Sequence, residues 1–99
     1  MELIKTPYML EEKQKHIQKL TSFEKTAVVN IQLQKDEIIP EHHADADVII
    51  IVKKGKVSFK VEGETVQVSS ENMLHMKPFE KHSLKADEAS DLIVMQIKP

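Results

Sequence analysis

The sequence predicts an all-β protein, a barrel or sandwich of antiparallel strands, and three observations carry that expectation. Apolar and polar residues alternate over several short segments, the period of two expected of strands covered on one face. Turn-forming residues recur between those segments, at Lys35-Asp36, Lys53-Lys54-Gly55, Glu62-Gly63-Glu64, Ser69–Asn72 and Asp87–Asp91. No long stretch holds a helical period, and short strands at regular spacing close into a sandwich or barrel.

Residues 1–25 read as an N-terminal arm and an edge strand, part of the same domain as a barrel spanning residues 26–99. Thr6-Pro7 can open a helix, and Glu11–Lys19 is rich in helix formers. Leu10, Ile17 and Leu20 are too sparse for a wide buried stripe, so a short helix or irregular arm is expected, then an edge strand near Ile17–Phe23. From Thr26, Ala27, Val29, Ile31 and Leu33 share one face and Asn30, Gln32 and Gln34 the other. Val48–Val52 is apolar at every position, which predicts a central strand covered on both faces. Val57, Phe59 and Val61 alternate with polar residues, and Glu62-Gly63-Glu64 turns the chain into a return strand with Val66 and Val68. In the turn Ser69–Asn72, Asn72 is the residue best able to take a left-handed conformation. Met73–Lys77 is strand-like up to Pro78, His82, Leu84 and Ala86 alternate, and Leu92–Ile97 is the last strand. The expected core is Ala27, Val29, Ile31, Leu33, Ile50, Val57, Phe59, Val66, Leu84 and Val94.

Composition narrows the function. Ninety-nine residues make one domain. Fourteen basic residues are scattered among sixteen acidic ones for a net charge of −2, so no basic stripe follows a phosphate backbone and no nucleic-acid partner is expected. The longest uninterrupted apolar run, Val48–Val52, is far too short to span a bilayer. The start, MELIKTPYML, carries no signal-peptide pattern, and the expected compartment is the cytoplasm. The absence of cysteine excludes disulfides, thiol redox chemistry and zinc ribbons. Any metal would fall to His, Asp, Glu or backbone oxygen.

Two stretches carry a family likeness. Pro40-Glu41-His42 leads through Val48–Lys54 to Gly55, and Pro78-Phe79-Glu80-Lys81-His82 closes a second, later motif. In this order, separated by a hairpin, they resemble the paired motifs of the cupin family over roughly Ala27 to Ile97. The resemblance implies a jelly-roll β-barrel of two facing antiparallel sheets. It departs from the family where chemistry resides: the second motif histidine falls on Ala44 and the glutamate on Val48. The implied metal set therefore shrinks to His42 and His82, with His75 as a third candidate that shares its strand face with Lys77. No cofactor is expected, and at most weak binding of a divalent metal.

Strand parity puts His42 on the inward face and His43, Asp45 and Asp47 on the other, as a solvated loop leading into a strand. The lumen is expected to be lined by His42, His82, Ala44, Val48 and Met76. Ser83 follows His82 directly and so faces the opposite way, and no catalytic residue is assigned. Three readings follow. One is a module binding a small polar or anionic metabolite in the lumen. A second is a metal-dependent isomerase or oxygenase using His42 and His82. A third is a sensory or interaction domain acting through a partner. A small barrel exposes sheet edges, and the resembling family forms two-fold dimers, so a homodimer is expected through Tyr8, Leu10, Ile17 and Phe23.

Overall fold

A computed structural model describes residues 1–99 as nine strands: β1 (Lys15–Phe23), β2 (Thr26–Leu33), β3 (Ile38–His42), β4 (Asp47–Lys54), β5 (Val57–Val61), β6 (Glu64–Val68), β7 (Met73–Met76), β8 (His82–Ala86) and β9 (Ser90–Ile97). They pair antiparallel in two sheets, of order β1-β2-β9-β4-β7 and β3-β8-β5-β6. The sheets face each other as a jelly-roll barrel, with Val48, Ile50, Phe59, Leu84, Leu92 and Val94 among the buried residues between them. Glu62 and Gly63 both take positive φ, 47° and 85°, the geometry of a two-residue turn whose twist matches its strands. No helix of the chain is long and apolar enough to cross a membrane.

The alternation expected of the strands is the alternation observed, with four differences that have physical reasons. Ile38–His42 forms an edge strand that the sequence reading lacks, because Pro40 and the polar residues around it mask the pattern. Proline is tolerated there since an edge strand has one side of its backbone unpaired. Asn72 is not left-handed. Instead its side chain closes the turn, Oδ1 accepting from Ser69 N at 2.9 Å and Nδ2 donating to Gln67 O at 3.2 Å. Of the expected core, Ala27, Val29, Ile31 and Val66 are only half-buried. Val66 lies on the edge strand β6, and β2 lies beside the open side of the barrel. Finally, β4 is covered on its inner face alone: Val48, Ile50 and Val52 are buried, whereas Ile51 on the outer face is 38% exposed.

The N-terminal segment forms no helix and lies across the outside of the five-stranded sheet. This explains why Asn30 and Gln32, on the supposedly solvated face of β2, are almost fully buried. Gln32 Nε2 donates to Pro7 O at 2.8 Å and to Asn30 Oδ1 at 2.9 Å, while Gln32 Oε1 accepts from Met9 N at 2.7 Å. Asn30 Nδ2 donates to buried Asp91 at 2.7 Å, and Lys53 Nζ reaches both Asp91, at 3.4 Å, and Thr6 Oγ1, at 2.8 Å. Every fully buried side-chain polar atom has a partner, as burial of polar groups requires. Leu10 is buried and Tyr8 lies under the Lys54 ammonium, 4.3 Å from its ring centre. Both residues are thus engaged within their own chain, and they leave the expected dimer interface.

Candidate functional site

His42 ends β3 and His82 begins β8, and the two are register partners across the four-stranded sheet. A register shift between Ile39 and His42 breaks the ladder, as a bulge does when it re-aims a side chain. The imidazole centroids lie 4.2 Å apart, edge to face, with 62° between planes. Each ring is held by the carbonyl two residues back: His42 Nδ1 donates to Pro40 O at 2.9 Å and His82 Nδ1 to Glu80 O at 3.0 Å. A carbonyl only accepts, so Nδ1 carries the proton and Nε2 keeps its lone pair in the neutral ring. Neither Nε2 has a protein partner. The pair offers two acceptors.

These acceptors sit at one wall of a cavity of about 230 Å³ between the sheets, somewhat below the range of about 300–1,000 Å³ typical of ligand pockets. Its other walls are apolar, chiefly Ile39, Val48, Ile50, Phe59 and Val94, and the one further polar group is Gln96. Ile17 of β1 stands at the rim, 55% exposed. Since β1 and β3 are the edges of their sheets, the cavity opens between them. The sequence reading missed Gln96, although the signal was present: on β9 it shares the inward parity of Leu92 and Val94.

Of the expected lumen residues, His42, His82 and Val48 line this cavity, and Ala44 and Met76 do not. Met76 is buried on the far edge strand β7, while Ala44 packs against the core and its carbonyl accepts from Phe79 N at 2.8 Å. His43 and Asp45 are exposed. His75 is on the outer face of the other sheet, its Nε2 2.8 Å from Asp47 Oδ1, and does not join the pair. Nowhere do three His, Asp or Glu side chains converge in a metal-holding group. The donor set that tight transition-metal sites use, at least three protein ligands, is thus not assembled around His42 and His82.

Burial is the main cause that lowers the His82 pKa below its ordinary 6.5; nearby His42 and His43 lower it further, against the opposing pull of the Glu80 carbonyl and carboxylate. In the unfolded chain the imidazole regains an ordinary pKa of about 6.5. The unfolded state therefore takes the proton first as pH falls. The contribution of His82 to stability stands in full above about pH 6.5 and declines below it. Urea midpoints measured from about pH 7 to pH 5 should drop more steeply for the wild type than for His82→Gln. Parallel curves would contradict the assignment.

The comparisons agree with this fold. The model of a family described as the AraC-like ligand binding domain matches residues 31–98. Among solved structures, a conserved protein of unknown function from Streptococcus pyogenes superposes with a TM-score of 0.83 at 20% identity, covering 100% of this chain and 91% of that one. A cupin superfamily protein from Desulfitobacterium hafniense gives 0.81 at 11% identity, with 89% and 81% covered. The cupin domain of an XRE-family transcriptional regulator from Enterobacter cloacae gives 0.75 at 15% identity, with 88% and 99% covered. Among curated proteins, no sequence matches.

Proposed function

The chain belongs to the family of AraC-like ligand-binding domains, cupin-type barrels, and from that premise we propose that its lumen binds a small metabolite between His42 and His82. The observation that carries this reading is the meeting of the two imidazoles, 4.2 Å apart, at the wall of an otherwise apolar cavity. Val48, Ile50 and Phe59 hold the apolar body of the ligand, and His42, His82 and Gln96 fix its polar end. A neutral pair accepts from a ligand hydroxyl, N–H or protonated acid. An anion binds only with proton uptake, which the lowered pKa of His82 opposes at neutral pH. Anionic ligands therefore bind more tightly as pH falls toward 5, and neutral donors do not.

A sensory role fits this reading, supported by the likeness to the cupin domain of a transcriptional regulator. Binding then changes what the barrel presents to a partner. The chain acts as a cytoplasmic homodimer in this reading, supported by the exposed apolar residues Phe23, Ile51 and Met73.

A thermal-shift screen of small hydroxylated, amide and carboxylate metabolites tests the proposal. A compound that raises Tm for the wild type should fail to do so for His42→Ala and for Ile17→Trp, which plugs the rim from an exposed position. Stabilisation that survives both substitutions would place the ligand elsewhere.

A further inference from the structure

We propose that the lumen takes an uncharged six-membered ring carrying two adjacent hydroxyls, each donating to one of the paired histidines. This deepens the ligand-binding reading above, rests on it, and names the class of compound. Three properties of the cavity carry it: the hydrogen bonds its wall still needs, the charges it lacks, and its size.

The wall needs donors. His82 is only 5% exposed, yet its Nε2 has no protein partner. Every fully buried side-chain polar atom of the chain has one, so this nitrogen reaches the cavity. His42 lines the same cavity from the exposed end of β3, and its Nδ1 is likewise spent on a carbonyl. Two lone pairs therefore stand side by side. A ligand that covers both but donates to one leaves a buried acceptor unmatched, a loss of about tenfold in affinity. Two adjacent hydroxyls satisfy the pair. From the facing sheet the amide of Gln96, exposed on β9, can donate to the hydroxyl oxygens.

Away from that edge the cavity offers nothing polar. Its lining contains no lysine, arginine, aspartate or glutamate, so a carboxylate meets no fixed positive charge and an ammonium no negative one. Ile50, Phe59, Leu84 and Val94, all buried, form the deep side. A sugar carries hydroxyls all round its ring, and those turned toward these residues would leave water without finding a partner. The donors of a matching ligand thus lie at one edge and its opposite side is hydrocarbon. Size sets the rest. An apolar cavity of about 150 Å³ takes benzene, so one of about 230 Å³ takes a six-membered ring with two or three further atoms.

Calorimetric titration of the full chain at about pH 7.5, above the ordinary imidazole pKa, tests this. The probes are catechol and trans-1,2-cyclohexanediol, each beside its mono-hydroxyl counterpart (phenol or cyclohexanol), a pentose and benzoate. At least one diol should bind one-to-one, about tenfold or more tighter than its counterpart. It should bind about 100-fold or more tighter than the pentose or benzoate. His42→Leu, at an exposed site, should bring that diol down to the affinity of its counterpart with the circular dichroism spectrum unchanged. A pentose or benzoate that binds as tightly as the diols, and loses affinity in His42→Leu, would overturn the class and leave the lumen site standing. A diol no tighter than its counterpart would overturn the pairing of two donors with two histidines. Binding that ignores His42→Leu, or no binding by any probe, would overturn the lumen site together with the class.

Discussion

Phe59→Ala should cost about 3–5 kcal/mol of stability, the range for truncating a buried aromatic. Phe59 has no exposed surface and is the largest of the fully buried side chains. It lies on β5 between β6 and β8, opposite Val66 on one side and Leu84 on the other, and it also forms part of the cavity wall. Truncation removes transfer free energy and merges a new void with the existing lumen. The surrounding strands, locked by their ladders, cannot collapse to fill it. A domain of this length has a total stability of about 5–15 kcal/mol, so the loss is a large share of the whole. With a urea slope of about 1–2 kcal/mol per molar, the midpoint should fall by about 1.5 M or more. A shift under about 0.5 M would show that Phe59 is not the packing centre of the barrel.

The second large effect is expected at a turn. Gly55 ends the β4 segment with φ at 91°, and a Cβ there would overlap Ser90 Oγ and the Ala89 carbonyl oxygen and lie 2.8 Å from Ser90 Cα. Ser90 is itself pinned, its Oγ donating to Glu88 O at 2.8 Å and Lys56 O at 3.2 Å. Gly55→Ala combines about 1–2 kcal/mol of left-handed strain with about 1–3 kcal/mol of overpacking against backbone, about 2–5 kcal/mol in all. Gly63 provides the control. Its φ is 85° but nothing lies within 4 Å of an added Cβ, so Gly63→Ala should cost strain alone, about 1–2 kcal/mol. Denaturation midpoints for the two variants should differ clearly, and equal losses would contradict the close approach of the two turns.

The parity of apolar residues revealed much of this fold, because a strand with one face on the core must alternate. It sufficed to put His42 and His82 on one lumen and to send His43 and His75 outside. Parity fails where a second layer intervenes. Asn30 and Gln32 read as solvated residues, yet the arm crosses them and their amides hold its backbone. Local pattern cannot announce a contact with a segment more than twenty residues away. Parity also says which way a residue points but not how far along the barrel it lies. Hence Met76, inward but at the β7 edge, misses the cavity, while Gln96, inward near the open edge, reaches it. On the outer side of β4, the all-apolar run predicted cover on both faces, but the strand lies between β9 and β7 with Ile51 still 38% exposed.

The central claim, that His42 and His82 form a neutral acceptor pair which takes a ligand in the lumen, is tested most directly by two-bond proton–nitrogen NMR of the imidazoles. At about pH 7, His82, whose pKa burial lowers below the ordinary 6.5, should be neutral, and both rings should carry a proton on Nδ1. Adding a compound that raises Tm should shift the Nε2 resonances of His42 and His82 and leave those of His16 and His75 in place. A protonated His82, a proton on Nε2 in either ring, or ligand shifts confined to His16 or His75 would contradict the account.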